Sequence, residues 1–513
     1  MQQAVFRFHL ARASRRFGLL VLLAMCGPAG VHSAVAGPLR AGTAKVDITN
    51  DDAGPVNDRL YAKALVVKSD AETVVLVTID AVAIGEIGPI NNDYLPAVRA
   101  ALQAELGIDP RQLLINASHC HGVVCADIAQ RTIAAVKQAH AKLVPVRVGT
   151  GRGQEDRISE NRRLLLKSGR TVDVRHAYSL PPDEEVAGVG PIDPEIGLLR
   201  LDRVDGGTLA VVYNFACHPI QGVPGGGNTA DLVGYASQVI EENLAPDTLA
   251  LFLQGCGGDI NPVFYKDVDH PRSAEPLGKQ LGLSTLRGVR EIECHDDDRL
   301  TIRSQTIALP RGDRTERIAQ LEADQRRLLA SLTGTSLNFK TFVPLYVKYS
   351  VSGEFPSYYS HRYLQEQAIG RDDQHQLDAE NRRNMAAYLK NVQTMEELTR
   401  LQTNLALLKK HQAQFIAAGS RTIDVEIGAL RIGDFVLATF PGELTVEIGL
   451  RLKAKATHPS TFVAGYTNGY IYYCPTAEQM QNVGFAQEDS DCLLAPEWQA
   501  QFEAAIQPLL DGL

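Results

Sequence analysis

The run Asn116-Ala117-Ser118-His119-Cys120-His121-Gly122 sets two imidazoles two residues apart, after the apolar stretch Leu113-Leu114-Ile115. If that stretch is a buried strand, alternate side chains share a face, so His119 and His121 point the same way. A His-x-His pair leaving a strand into a glycine-bearing turn is a common start to a zinc site, although such pairs also occur without metal. The arrangement recurs along the chain. The apolar run 209–216 continues into Cys217-His218-Pro219, and the run 435–440 ends in Pro441-Gly442-Glu443. A third, 461–466, leads through Tyr466 into Thr467-Asn468-Gly469-Tyr470 and on to Tyr473. Ligands at the ends of central strands gather along one edge of an open sheet. Two imidazoles and a carboxylate, with a place left for water, make a catalytic zinc arrangement rather than a closed structural one.

The elements that must position these residues read as an α/β core. Residues 73–80 are apolar on both faces until Asp80, as in a central strand. A helix over 94–106, closed by Gly107, precedes the strand 113–115, and a second helix over 125–140 returns toward a strand at 144–149. Further along, a helix over 232–242 leads to a strand at 248–253, which breaks at Gln254-Gly255-Cys256-Gly257-Gly258-Asp259-Ile260-Asn261-Pro262. A helix over 444–454 separates the last two apolar runs. Strands alternating with helices predict a central mixed β-sheet flanked by helices. Gly225-Gly226-Gly227 lacks any phosphate-loop context and reads as a flexible connection.

Between 314 and 418 the composition shifts to charged, Leu/Ala/Gln-rich periodic runs. Residues 317–332 and 378–415 read as amphipathic helices. The stretch between them, with Tyr346, Tyr349, Phe355, Tyr358, Tyr359 and Tyr363, reads as an aromatic loop. The whole is a helical insertion on the core, serving as a lid, as a contact for a homo-oligomer, or as a plain solvated hairpin.

The chain has 513 residues, 45% apolar and 22% charged, with a net charge of −9 and no strongly basic block after the N-terminus. That balance argues against nucleic acid as a partner. Arg12, Arg15 and Arg16 precede the apolar run 17–25, and Ala34-Val35-Ala36-Gly37 offers a cleavage site after Ala36. Residues 1–36 thus read as a secretory signal peptide, and 37–513 as an exported catalytic domain, secreted or periplasmic. No later stretch is long and apolar enough to span a bilayer. Cys26 leaves with the signal. Among the seven cysteines left, Cys474 with Cys492 and Cys120 with Cys125 could pair, or all could be buried free thiols.

Six segments in one order give the chain a resemblance to the neutral ceramidase family, to its metal-bearing N-terminal catalytic domain. They are Ser118-His119-Cys120-His121-Gly122, Ala216-Cys217-His218-Pro219, Thr229-Ala230-Asp231-Leu232-Val233-Gly234-Tyr235-Ala236, the glycine-rich run ending at Pro262, Phe440-Pro441-Gly442-Glu443, and Asn468-Gly469-Tyr470. They cover about 40–310 and 420–490. The resemblance implies that His119, His218, Glu443 and Tyr470 bind Zn2+, with Tyr466 and Tyr473 close enough to exchange places with Tyr470. It implies that His121 sits beside the metal as an acid/base or orienting group, and that Arg162 faces the scissile carbonyl. Three features depart from the family. Asn261 stands where the ceramidases carry a serine thought to act at the site, which favours attack by metal-activated water. The chain also ends without room for their immunoglobulin-like C-terminal domain, and the helical insertion has no counterpart known in them.

The chemistry is coherent without the name. Zinc lowers the pKa of bound water to about 7 and polarises a carbonyl. Arg162 or a tyrosine hydroxyl could support the oxyanion, and a neutral His121 could pass the water's proton to the leaving group. The expectation is an exported zinc hydrolase acting on an amide or ester bond, with a small-molecule or lipid substrate of ceramide type. Two alternatives stand beside it. One is a zinc enzyme of the same scaffold acting on a carbohydrate or other polar substrate, for which the aromatic insertion is the motive. The other is a non-catalytic binding protein that keeps the scaffold.

Overall fold

The apolar runs become strands of two sheets. The structure, a computed structural model, describes residues 39–174, 180–356, 360–484 and 486–513. The first sheet has eight strands, in the order Leu249–Gln254, Thr208–Phe215, Glu195–Arg203, Val144–Gln154, Arg40–Asp47, Tyr61–Lys68, Thr73–Ile79 and Leu113–Ala117. The outermost pair at each edge is parallel and the pairs between are antiparallel. Each parallel pair needs a crossover, supplied at one edge by the helix Tyr94–Leu106 and at the other by Asp231–Glu242.

The sheet curls until its two edges meet. Thr78 Oγ1 donates to the Phe252 carbonyl at 2.6 Å, and Lys63 Nζ to the Ala250 carbonyl at 3.1 Å. These side chains satisfy carbonyls that an open sheet edge would leave exposed. The curl brings together the C-terminal ends of the strands that precede His119 and His218.

The second sheet runs Leu300–Pro310, Thr422–Ile432, Phe435–Thr439 and Thr461–Ala464, its last pair parallel and crossed by the helix Val446–Lys455. Alternation sorts its side chains. Phe435 and Leu437 pack with Leu65, Leu76 and Leu251 between the sheets, whereas Val436 and Ala438 join Trp498 and Phe502 of the helix Trp498–Asp511. On the far face of the eight-stranded sheet, Val75 and Val77 meet Val98 and Val136 of two helices, and Tyr213 meets Leu232 and Leu281 of two more. The core is therefore four layers: helices, sheet, sheet, helices. Gly197 lets the sheets close, because a Cβ there would stand 2.3 Å from the Phe462 ring.

The insertion is helical, as expected, and Tyr346, Tyr349 and Tyr363 of its aromatic stretch lie on helices rather than in a loop. Helices cover Thr315–Ser331, Phe339–Val351, Ser360–Ala368 and Asp373–Ala418. Asn338 and Thr341 form a capping box that starts the second helix despite Pro344 within it. Tyr349 and Tyr363 both donate to the buried Asp378 carboxylate, at 2.6 and 2.7 Å, so these aromatics build the insertion's own core. Tyr358 and Tyr359 lie outside the described residues, as does the expected signal peptide. Cys120, Cys125, Cys217, Cys256, Cys294, Cys474 and Cys492 are all free thiols.

Candidate metal centre

Asn116 ties together the strand ends that carry the site. Buried at 2% exposure, it donates to the Gly465 carbonyl at 2.7 Å and accepts from the Gln254 backbone N–H at 2.9 Å. The strand Leu113–Ala117 stops short of the histidine pair. His119 has a left-handed backbone, φ 67°, in the turn that follows. The expectation that His119 and His121 share a strand face therefore fails: both reach the same cavity, but from a turn, with ring centroids 5.6 Å apart. An uncommon backbone region at a buried histidine is a local cost that the surrounding hydrogen bonds must hold. The His119 N–H to the Ala81 carbonyl, at 3.0 Å, is one of them.

His119, His218 and Glu443 converge, with one donor atom from each lying within 4.8 Å of the others. His119 Nδ1 donates to the Val82 carbonyl at 2.6 Å, and His218 Nδ1 to the Ile260 carbonyl at 3.0 Å. With both Nδ1 atoms protonated, each neutral ring turns its Nε2 lone pair inward, as metal-binding histidines do. Glu443 Oε2 lies 3.4 Å from His119 Nε2 and 3.2 Å from His218 Nε2. The His218 Nε2 atom is buried without a hydrogen-bond partner. A lone pair aimed into a buried, carboxylate-bearing cleft, next to a second one, fits a divalent cation with imidazole and oxygen preference.

Two tyrosines serve Glu443. Tyr470 O–H donates to Oε1, and Tyr466 O–H donates to Oε2 at 3.2 Å, the oxygen facing the histidines. Tyr473 lines the same cavity, its ring 6.4 Å from that of His218 and 5.3 Å from the Arg162 guanidinium. Burial, then the Glu443 charge, raises the Tyr466 and Tyr470 hydroxyls well above their usual range, so both stay protonated donors. Burial opposes ionisation of Glu443, whereas protonation of the facing His119 or His218 would hold the carboxyl well below its usual range. Burial lowers the His218 pKa, favouring the neutral ring.

These residues floor a cavity of about 470 Å³, whose wall includes His121, Arg162 and Asn261. His121 shows an exposed edge to the cavity while most of its ring is packed around. That enclosure, then His119 and His218, pushes its pKa down to about 3. Arg162 is buried. It donates through Nε to Glu488 Oε1 at 2.5 Å, through Nη2 to the Gly258 carbonyl at 2.7 Å, and through Nη1 to Asn261 Oδ1 at 3.3 Å. Burial works against its charge, and Glu488 above all holds that charge on. Asn261 therefore orients Arg162 on the cavity wall.

The sequence reading missed Glu488 and Asp491. Glu488 carries Arg162, and Asp491 lines the cavity while accepting from His411 Nε2 at 2.5 Å. A signal existed for the first: two consecutive arginines, Arg162 and Arg163, with low exposure need carboxylates, and 487–491 is the acidic run that supplies them. His411, with Arg400 donating to the Asp173 carbonyl at 2.9 Å, roots the long inserted helix on the wall of the site. No described residue of 314–418 lines the cavity itself. Asp80, Asp231 and Asp259 are structural: each accepts backbone N–H groups, from Tyr61, from Gln221 and Gly222, and from Val446.

The fold and its centre define a class: a two-sheet α/β scaffold presenting two histidines and a glutamate that could hold a metal ion at the ends of its strands. No family model matches the chain. Its sequence is 24% identical to a neutral ceramidase of Mycobacterium tuberculosis over 377 residues, 69% of this chain and 53% of that protein. The chain thus spans about half the length of this relative. The fold matches the crystal structure of neutral ceramidase from Pseudomonas aeruginosa with TM-score 0.58 at 17% identity, covering 92% of this chain and 74% of that one. A ceramidase complexed with C2 matches with TM-score 0.57, also at 17% identity, over 91% and 74%. The likeness to neutral ceramidases drawn from six short motifs therefore holds in sequence and in fold.

Proposed function

We propose that this chain is a zinc-dependent amidohydrolase of the neutral ceramidase family, cleaving the N-acyl bond of a ceramide-like lipid outside the cytoplasm. The observation that carries the proposal is the convergence of His119, His218 and Glu443, with both Nδ1 atoms committed to carbonyls, on the floor of a cavity that also holds Arg162. His119, His218 and Glu443 would hold the ion, with Tyr470 or Tyr466 beside the carboxylate. When bound, zinc supplies Lewis acidity to water and to the scissile carbonyl. The remaining work falls to the chain. His121, on the cavity wall beside the histidines, would accept a proton and deliver it to the leaving nitrogen. Arg162, its charge held by Glu488, stabilises the oxyanion, and Asn261 keeps the guanidinium aimed. Val82, Ile87, Val174 and Ile220 give the acyl chain an apolar wall.

The carbohydrate reading loses part of its motive, since Tyr349 and Tyr363 pack within the insertion and none of its described residues lines the cavity. Elemental analysis of the mature protein should find about one zinc per chain, and a short-chain N-acylsphingosine should be hydrolysed. His119→Ala should lose both metal and turnover; turnover surviving that change refutes the site. An N-terminus at Gly37 in protein recovered outside the cytoplasm would support export.

A further inference from the structure

Among the described residues, 21 large apolar side chains are exposed, and 13 of them fall within the insertion 314–418. They are not scattered there. On the helix Phe339–Val351, Phe342 and Tyr349 face the long helix, and Phe342 stacks on Tyr388. The neighbouring face carries Phe339 at 70% exposure, Val343, Tyr346, Val347 at 53% and Val351 at 82%. At helical spacing these five form one stripe, because residues three and four apart are neighbours. Lys340 and Lys348 stand within or beside it, and the helix contains no acidic residue, although the chain as a whole carries −9.

We infer that this stripe is a membrane-surface site that seats the insertion on an anionic lipid leaflet. The inference goes beyond the hydrolase reading and does not need it. An apolar face with aromatic residues, bordered by lysines and free of acids, matches a helix lying in the interfacial plane, its apolar side among acyl chains and its lysines at headgroup phosphates. Charge decides against a second copy of the chain. A two-fold contact sets the same patch against itself, so Lys340 and Lys348 would face their own counterparts with no carboxylate of the helix to pair. An anionic leaflet reverses that sign. The helix is held from behind by Phe342, Tyr349 and Met385, so it is already folded when it meets the surface.

The test is flotation of the mature full-length protein with phosphatidylcholine vesicles, with and without phosphatidylglycerol. The wild type should float with the anionic vesicles and release as salt is raised. Phe339→Ser/Val347→Ser/Val351→Ser should weaken the partition by about tenfold or more. Lys340→Gln/Lys348→Gln should weaken only the anionic component. Phe339, Lys340, Val347 and Val351 are exposed and Lys348 is half-buried, so near-unchanged thermal melting and unchanged turnover of a water-soluble amide substrate should accompany the loss. Equal flotation of wild type and triple-serine variant overturns the inference, as does absence of wild-type binding. A wild-type dimer in sedimentation velocity that the triple-serine change converts to monomer also overturns it, assigning the stripe to a second copy. A protein that binds vesicles yet hydrolyses no N-acyl lipid leaves this surface standing while the proposed reaction falls.

Discussion

Removing Glu488 should unload Arg162 in a way a double-mutant cycle can read. The pair is dry: the side chains are 6% and 0% exposed, with nitrogen and oxygen 2.5 Å apart. Taking one partner from a buried ion pair costs roughly 3–5 kcal/mol, because the survivor keeps its charge without compensation. Arg162 would still have the Gly258 carbonyl and Asn261, which places Glu488→Leu near the lower end, about 3 kcal/mol. Arg162→Met should cost less, about 2 kcal/mol, because Glu488 Oε2 retains Arg163 at 3.4 Å. The double variant leaves neither charge stranded. It should fall short of the summed single losses by about 2 kcal/mol, a coupling typical of contacting residues. Urea unfolding of the metal-stripped proteins measures all four corners without a contribution from metal binding. Additivity within about 0.5 kcal/mol would refute the assignment of Glu488 as the group that carries Arg162.

Three further outcomes follow from the same geometry. Gly258→Ala would place a Cβ 2.6 Å from the Glu443 carbonyl oxygen, so it should cost about 1–3 kcal/mol and weaken metal affinity by displacing Glu443, read by titration with zinc. Tyr466→Phe and Tyr470→Phe each remove an O–H from Glu443 and should each raise the metal dissociation constant by about 10–100-fold with little effect on melting of the stripped protein. Burial raises the Asp80 carboxyl from 3.8 to about 6, against the opposing Lys63 charge. The folded state therefore binds the proton more tightly than the unfolded chain. The penalty of burying the ionised form is absent below pH 4, grows as pH rises to 6, and is constant above. Asp80→Asn, which can still accept from the Tyr61 N–H, should gain on the wild type across that window by about 3 kcal/mol, measured as the difference of unfolding free energies at each pH. A flat difference would show that Asp80 is not desolvated.

The parts of the fold legible in the sequence are those whose signal is local. Runs such as 73–79 and 209–215 are apolar on both faces because each sits between helices and a second sheet, and both were readable as central strands for that reason. His218 announced itself by following such a run just before Pro219, and Glu443 by following one across Pro441-Gly442. What was not legible depended on where the chain goes after the run ends. Period-two reasoning placed His119 and His121 on one strand face, but the strand stops at Ala117 and a left-handed turn re-aims His119, a choice no propensity at Ser118-His119-Cys120 declares. The curl of the large sheet rests on Thr78 and Lys63 reaching carbonyls about 170–190 residues away. The roles of the tyrosines turned on a division of labour within one carboxylate, Oε1 to Tyr470 and Oε2 to Tyr466, which spacing alone cannot express. The aromatic stretch of the insertion misled for a different reason. Its apolar residues serve two surfaces at once, one packed on the long helix and one left bare, so the helix Phe339–Val351 shows no clean polar face to betray its period. The bare surface that blurred the sequence signal is the one assigned to a membrane, so the ambiguity in the pattern and the inferred function have one physical origin.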